Sequence, residues 1–192
     1  MAPILADTRK TTADLLAMPD DGVERWLIDG QIREVGMTIR NKLHTRVESR
    51  VSYHLERWLE GQPAPRGSVH AGEVGVRLRQ DPDTTVGVDV VYLDPRGAAA
   101  NAGNDDSTIL VGVPTLAVEI LSPSTTHEVI RGKTRLYHAV GVSQVWIIDP
   151  DLRTVTIPRA GRPPVLLNEE DELDGGPELP GFRVPVAKLF DV

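Results

Sequence analysis

Apolar residues along the chain recur with two periods. Between Thr38 and Glu60, Leu43, Val47, Val51, Leu55 and Trp58 return every three or four positions, which places them on one stripe of a helix. Each residue rotates the side chain by about 100°. Lys42, Arg46 and Arg50 therefore lie on one flank of the stripe, and His44 and Glu48 on the other. Gly61 to Gly67, with two prolines, ends the helix. A shorter helix is expected from Thr12, a capping residue, to the turn at Pro19-Asp-Asp-Gly.

The other period is that of strands. Asp29-Gly30 separates two short apolar runs, a strong hairpin signal. Ala71 to Leu78 alternates loosely, and Val86 to Leu93 is almost entirely β-favouring. Gly97 to Ser107 is small and polar and reads as a surface loop. Pro114 to Ser122 is another apolar strand, Thr126 to Val140 a helix ending near Gly141, and Gln144 to Asp149 a buried strand. Thr154 to Pro158 reads as an edge strand, and Leu189-Phe190 is expected to dock on the core. Strand, helix, strand in the second half predicts a crossover with parallel pairing, after an antiparallel first half. The expected fold class is α/β: a mixed β-sheet flanked by helices, with an N-terminal helix and hairpin. One domain over residues 1–192, with a core from about 12 to 190, suits the length.

Composition narrows the function classes. No apolar run nears the roughly 20 residues that span a bilayer, and Met1 to Lys10 lacks the order of a signal peptide. There is no cysteine, so disulfides and thiolate zinc sites are excluded. A cytoplasmic protein without membrane association is expected. The formal net charge of −7 argues against broad, non-specific DNA coating, but is compatible with a local basic groove beside a carboxylate site.

Two charges stand where charges are costly. Asp89 interrupts Val88 and Val90-Val91, and Glu119 interrupts Leu116-Ala-Val and Ile120-Leu. A carboxylate in a buried strand needs a partner or a metal, or else becomes neutral. Two acids on separate strands could converge on one hard cation that keeps water. Magnesium suits that arrangement because it takes one or two carboxylates and binds phosphate oxygens. By spacing alone, each acid could equally be a solvated or salt-bridged strand end.

The order of elements resembles the core of the PD-(D/E)XK nucleases. More closely, the chain from about Thr12 to Phe190 resembles the Uma-type family of bacterial restriction-endonuclease-like proteins. The resemblance rests on Thr12-Ala-Asp-Leu-Leu-Ala-Met-Pro-Asp-Asp-Gly, Leu27-Ile-Asp-Gly, His44, Glu73-Val-Gly-Val-Arg and Val88-Asp-Val-Val. It continues through Val118-Glu-Ile-Leu-Ser-Pro-Ser-Thr, Lys133, Leu136-Tyr137, Ala139-Val-Gly-Val, Val145-Trp-Ile-Ile-Asp-Pro and Pro180-Gly-Phe. It implies a restriction-endonuclease-like fold and a magnesium-dependent endonuclease that hydrolyses DNA phosphodiester bonds, with manganese a possible substitute. It implies a homodimer that cuts both strands, because two sites are needed.

The resemblance also implies roles. Asp89 and Glu119, with the backbone carbonyl of Ile120, would hold the metal. The superfamily lysine would stand at Leu121, and its role passes to Lys133 on the next helix. His44, Glu48, Glu73 and Ser122 are candidates for supporting roles. Ser124 could donate to phosphate or cap the following helix. Lys42, Arg46, Arg50, Arg131 and Arg135 are candidates for nucleic-acid contacts, although runs such as Arg131-Gly-Lys-Thr-Arg are ordinarily solvated faces. The family pattern has acids where this chain has Trp26 and Val129. Those departures keep a second reading open, in which a weak or inactive nuclease fold serves as a nucleic-acid-binding or protein-interaction module.

Overall fold

The computed structural model describes residues 9–19, 21–35, 41–103, 108–123 and 126–191. Helix α1 (Thr12–Leu16) starts at a capping box, in which Thr11 and Asp14 each satisfy the other's backbone N–H. Strands β1 (Glu24–Ile28) and β2 (Gln31–Val35) form the expected hairpin. Its turn residues Asp29 and Gly30 both take positive φ, 52° and 74°, as the tightest hairpin turn requires.

Helix α2 (Lys42–Glu60) starts later than its periodicity suggests. Asn41 has extended backbone, and its side chain accepts the His44 N–H at 2.8 Å. Thr38 lies outside the described residues. The buried stripe is His44, Val47, Val51, Leu55 and Leu59. Leu43, expected in the stripe, is 41% exposed, because the stripe is centred one residue further round and a histidine opens it.

Strands β3 (Ser68–Arg79) and β4 (Thr84–Leu93) pair along their lengths, with a bulge between Ala71 and Val74. The loop expected from Gly97 is instead helix α3 (Pro95–Asn101) over its first half. Asp94 caps it, Pro95 opens it, and three alanines follow, which together outweigh Gly97. Residues 104–107 of that expected loop lie outside the described residues. The short β5 (Leu110–Val111) adds to β3.

Strand β6 (Leu116–Ile120), helix α4 (His127–Val140) and strand β7 (Gln144–Asp149) form the crossover, and β6 and β7 are parallel. Thr126 caps α4, and Gly141 closes it in the left-handed conformation at φ 92°. Strand β8 (Thr154–Arg159) is not an edge, because β9 (Arg162–Leu167) pairs outside it. Pro163 and Pro164 disguise β9 in the sequence, and an outer strand tolerates them. A second, two-stranded sheet joins β10 (Glu172–Asp174) to β11 (Arg183–Pro185). Leu189 and Phe190 then dock in the core as expected.

The large sheet runs β2-β1-β4-β6-β7-β8-β9, with β3 also on β4. Alternation along the central strands separates two cores. Val90, Tyr92, Leu116, Val118 and Ile120 pack with the α2 stripe, whereas Val91 and Ala117 pack with Tyr137 of α4. Among the described residues, no helix is long and apolar enough to cross a membrane.

The α2 stripe gives a direct check on this packing. Leu55 is fully buried, so Leu55→Ala should cost about 2–5 kcal/mol of unfolding free energy. Leu43→Ala should stay within about 0.5 kcal/mol of wild type. Urea denaturation of the two variants measures the difference.

Candidate active site

The site lies where one edge of β4 is shared by two strands. β3 covers the other edge along its length. On the shared edge, β1 pairs at Thr85 and β6 at Val90, Val91 and Tyr92. Between those pairings the sheet forks, and the fork contains Gly87 and Asp89. Backbone groups at a fork lose their ladder partners and need others. Here side chains supply them. Asp89 Oδ2 accepts the Ile120 N–H at 2.7 Å, and Lys133 Nζ donates to the Gly87 carbonyl at 2.9 Å.

Glu119 sits on the α4 side of β6, in phase with Ala117. Lys133 Nζ donates to its Oε2 at 2.8 Å, and the Tyr137 hydroxyl donates to its Oε1. Lys133 and Tyr137 are one helical turn apart, so both side chains reach the same acid. Asp89, Glu119 and Lys133 are 3%, 5% and 6% exposed. Burial separates Lys133 from Arg131 and Arg135, which are exposed on the same helix, and so distinguishes it from a solvated basic run. Its ammonium also stands 4.3 Å from the centre of the Trp26 ring, an attraction worth about 0.5–2 kcal/mol. The residue that stands where the family pattern has an acid is thus a roof over the buried lysine. Val129, the second departure, packs with the apolar cluster beneath α4.

The α2 layer reaches the same fork. His44 is fully buried, and its Nε2 lies 3.2 Å from Asp89 Oδ1. That approach lacks hydrogen-bond angles. Glu48, one turn on, is half-buried. Glu73 occupies the β3 bulge at φ 57°. Its carboxylate lies over Gly87, where an added Cβ would stand 2.7 Å from Oε1, so a side chain at 87 would displace Glu73. A cleft of about 260 Å³ between α1, β1 and β3 is lined by Trp26, Glu73 and Gly87, and leads to the carbonyl that Lys133 holds. Ser122 follows β6 and is half-buried, and Ser124 lies outside the described residues. Lys42, Arg46 and Arg50 stand on the outer flank of α2, away from the acids.

The structure therefore brings together Asp89, Glu119, Lys133, His44 and Ile120, the last through its N–H, with Glu73 over Gly87 alongside. Tyr137 and Gly87 were not anticipated as site residues. Their signals were present: Tyr137 is four residues after Lys133, and Gly87 is two before Asp89 in a strand of large residues.

Burial has the largest influence on Glu119 and pushes its pKa up. Lys133 pulls it back, Asp89 pushes it further up, and the net direction is upward from 4.5. Burial, and then Glu119, push the Tyr137 hydroxyl well above its ordinary value, so it remains a donor. Because folded Glu119 holds its proton to higher pH than unfolded Glu119, its contribution to stability is full below about 4.5 and is lost as pH rises through the raised value. In metal-free protein, Glu119→Gln should remove this loss. Its unfolding free energy relative to wild type should rise with pH above about 4.5, as urea denaturation across a pH series would show.

The donor set fits a hard cation. Both acids offer oxygen, and Asp89 is close enough to perturb Glu119, a repulsion that a cation would relieve. Among the described residues, no three His, Asp or Glu side chains gather as a cage. Two carboxylates with water completing the shell is the magnesium pattern, rather than that of an all-protein calcium site.

Comparison with known proteins agrees with this architecture. A crystal structure from Anabaena variabilis, described as a putative nuclease belonging to DUF820, superposes with a TM-score of 0.76 at 16% identity, covering 94% of this chain and 97% of that one. No curated protein matches the chain. The sequence model of the Uma2 family, described as putative restriction endonuclease, matches residues 12–187, and the chain belongs to that family.

Proposed function

We propose that the protein is a magnesium-dependent endonuclease that hydrolyses phosphodiester bonds of DNA. The observation that carries this reading is the buried Glu119–Lys133 pair, delivered by α4 to a strand fork that also holds Asp89. Asp89 and Glu119, with the Ile120 carbonyl, would hold Mg²⁺, or Mn²⁺ in its place. Bound there, the cation would polarise the phosphodiester and lower the pKa of the attacking water.

The remaining roles follow from the residues themselves. Lys133 has three partners: Glu119, the Gly87 carbonyl and the Trp26 face. Exchanging only Glu119 for a phosphate oxygen leaves the ammonium anchored by the other two. Its charge then faces the negative charge that develops on phosphorus-bound oxygens in the transition state. Tyr137 keeps Glu119 oriented through the other carboxylate oxygen. His44 backs Asp89 from the α2 layer. A homodimer would present two such sites, one for each strand of a duplex.

Plasmid cleavage with magnesium tests the reading. Wild type should nick or linearise the plasmid. Asp89→Asn, Glu119→Gln and Lys133→Met should each lose about a hundredfold or more, and chelation should abolish cutting. Equal cutting by all four proteins would contradict the assignment. Salt-dependent DNA binding without cutting by wild type would point to a binding module.

A further inference from the structure

The outer flank of α2 carries a row of cations that the proposed chemistry does not use. Lys42, Arg46 and Arg50 follow one another at four-residue spacing, and Arg57 continues the row beyond His54. Side chains four apart form one ridge along a helix. At about 1.5 Å per residue the ridge is about 22 Å long. Among the described residues, no acid forms an ion pair with Lys42, Arg46, Arg50 or Arg57. Arg46 and Arg50 are instead anchored through Nε to the neutral carbonyls of Asp191 and Lys188, at 3.2 and 3.0 Å. Each guanidinium is thereby fixed in place without a direct ion pair among the described residues. The Asp191 carboxylate, its pKa lowered first by Lys188, is near enough to Arg50 to be lowered by it as well. In a chain of net charge −7, such a row is a local exception.

The C-terminal segment forms the opposite wall, and the two enclose a cavity at each end. One, of about 380 Å³, lies between Lys42, Arg46 and Arg153 over a floor that includes Pro150 and Phe190. Pro150 follows β7, the strand that pairs with β6. The other, of about 470 Å³, has the half-buried Trp58 as its aromatic wall, with His54, Arg57, Arg183 and Lys188 around it and the buried Phe182 beneath. Trp58 is held edge-on to Tyr92 and Phe182, and its Nε1 donates to the Pro180 carbonyl at 2.9 Å. The His54 pKa is lowered, first by burial and then by Arg50, Arg57 and Lys188, which reports positive potential at that cavity. On the C-terminal wall the cations are paired: Arg153 with Glu169, Arg183 with Glu172 and Asp174, and Lys188 with Asp191. Among the described residues, the cations without a direct ion pair thus belong to α2.

We infer that this flank is a track for a single strand of nucleic acid, whose phosphates follow the α2 cations and one of whose bases enters the cavity beside Trp58. A row of fixed cations beside an aromatic wall is the combination by which single strands are held without sequence readout. The track's length matches about six nucleotides at the rise of a B-form strand, and fewer in an extended one. A paired duplex offers phosphates but no free base face, and so would leave the aromatic cavity unused. The inference rests on the nuclease reading: helix α2, whose buried face brings His44 to Asp89, would carry on its outer flank a strand that arrives unpaired or has been opened.

The test is binding, measured in EDTA so that neither metal nor cutting enters. A fluorescein-labelled oligothymidylate of about a dozen nucleotides is titrated against wild type, Lys42→Ala, Arg57→Ala and Trp58→Phe, with thermal melts confirming the fold of each. Wild type should bind the strand more tightly than a blunt duplex of equal length and lose tryptophan fluorescence on binding. Lys42→Ala and Arg57→Ala should each weaken binding several-fold and lower the salt slope by about 0.7. Trp58→Phe should abolish most of the quenching. Unchanged affinity in both cation variants, or tighter binding of the duplex without quenching, would overturn the track. Cutting lost in Asp89→Asn alongside unchanged binding in the track variants would spare the nuclease reading. Track-dependent binding without any cutting would do the reverse.

Discussion

The Lys133 ammonium ties one helix to two strands that do not pair with each other at that point. Through Glu119 it holds β6, and through the Gly87 carbonyl it holds β4. Removing one member of a buried ion pair leaves an uncompensated charge, which costs about 3–5 kcal/mol. Helix α4 is therefore restricted to the register that puts residue 133 over Glu119, and its capped ends at Thr126 and Gly141 are consistent with that register. The dependence also runs the other way. If β6 followed β4 past Asp89 the fork would close, and Gly87 and Ile120 would bond to each other's strands. The fork persists because Lys133 and Asp89 satisfy the backbone groups that it exposes.

How far this arrangement could be read in the sequence depends on contrast. Asp89 and Glu119 stood out because each is a charge within an apolar strand. Lys133 did not stand out by itself, because a lysine between two arginines looks like a solvated face. Only the phase of α4, with Lys133 and Tyr137 on the buried side and Arg131 and Arg135 outside, separates it from its neighbours. His44 was named as a supporting candidate but not as part of the buried stripe, for a related reason: imidazole is not scored as apolar, so the stripe seemed to begin at Leu43. Trp26 showed the opposite failure. It registered as a missing acid, whereas tertiary packing gives it a positive role over the Lys133 ammonium.

The elements were legible where a single local rule governed them, as at the Asp29-Gly30 hairpin and the α4 crossover. They were lost where two rules conflicted. In α3, the capping Asp94, Pro95 and a run of alanine outweigh a central glycine. In β9, two prolines are compatible with a strand only because nothing pairs outside it among the described residues. The forked edge of β4 was not legible at all, since it depends on which strands compete for that edge. Helix α2 then divides its duties: its buried stripe starts with the histidine that touches Asp89, and its outer flank carries a row of cations without a direct ion pair among the described residues.

The central claim is that the acids at the fork form a cation site, with Lys133 as the partner of Glu119 when the cation is absent. Titration of Mn²⁺ into the protein, followed by the paramagnetic resonance signal of the free ion, tests it without substrate. Wild type should take up manganese stoichiometrically per site, magnesium should compete, and Asp89→Asn and Glu119→Gln should lose that uptake while staying folded. No uptake by wild type, or equal uptake by wild type and Asp89→Asn, would contradict the account.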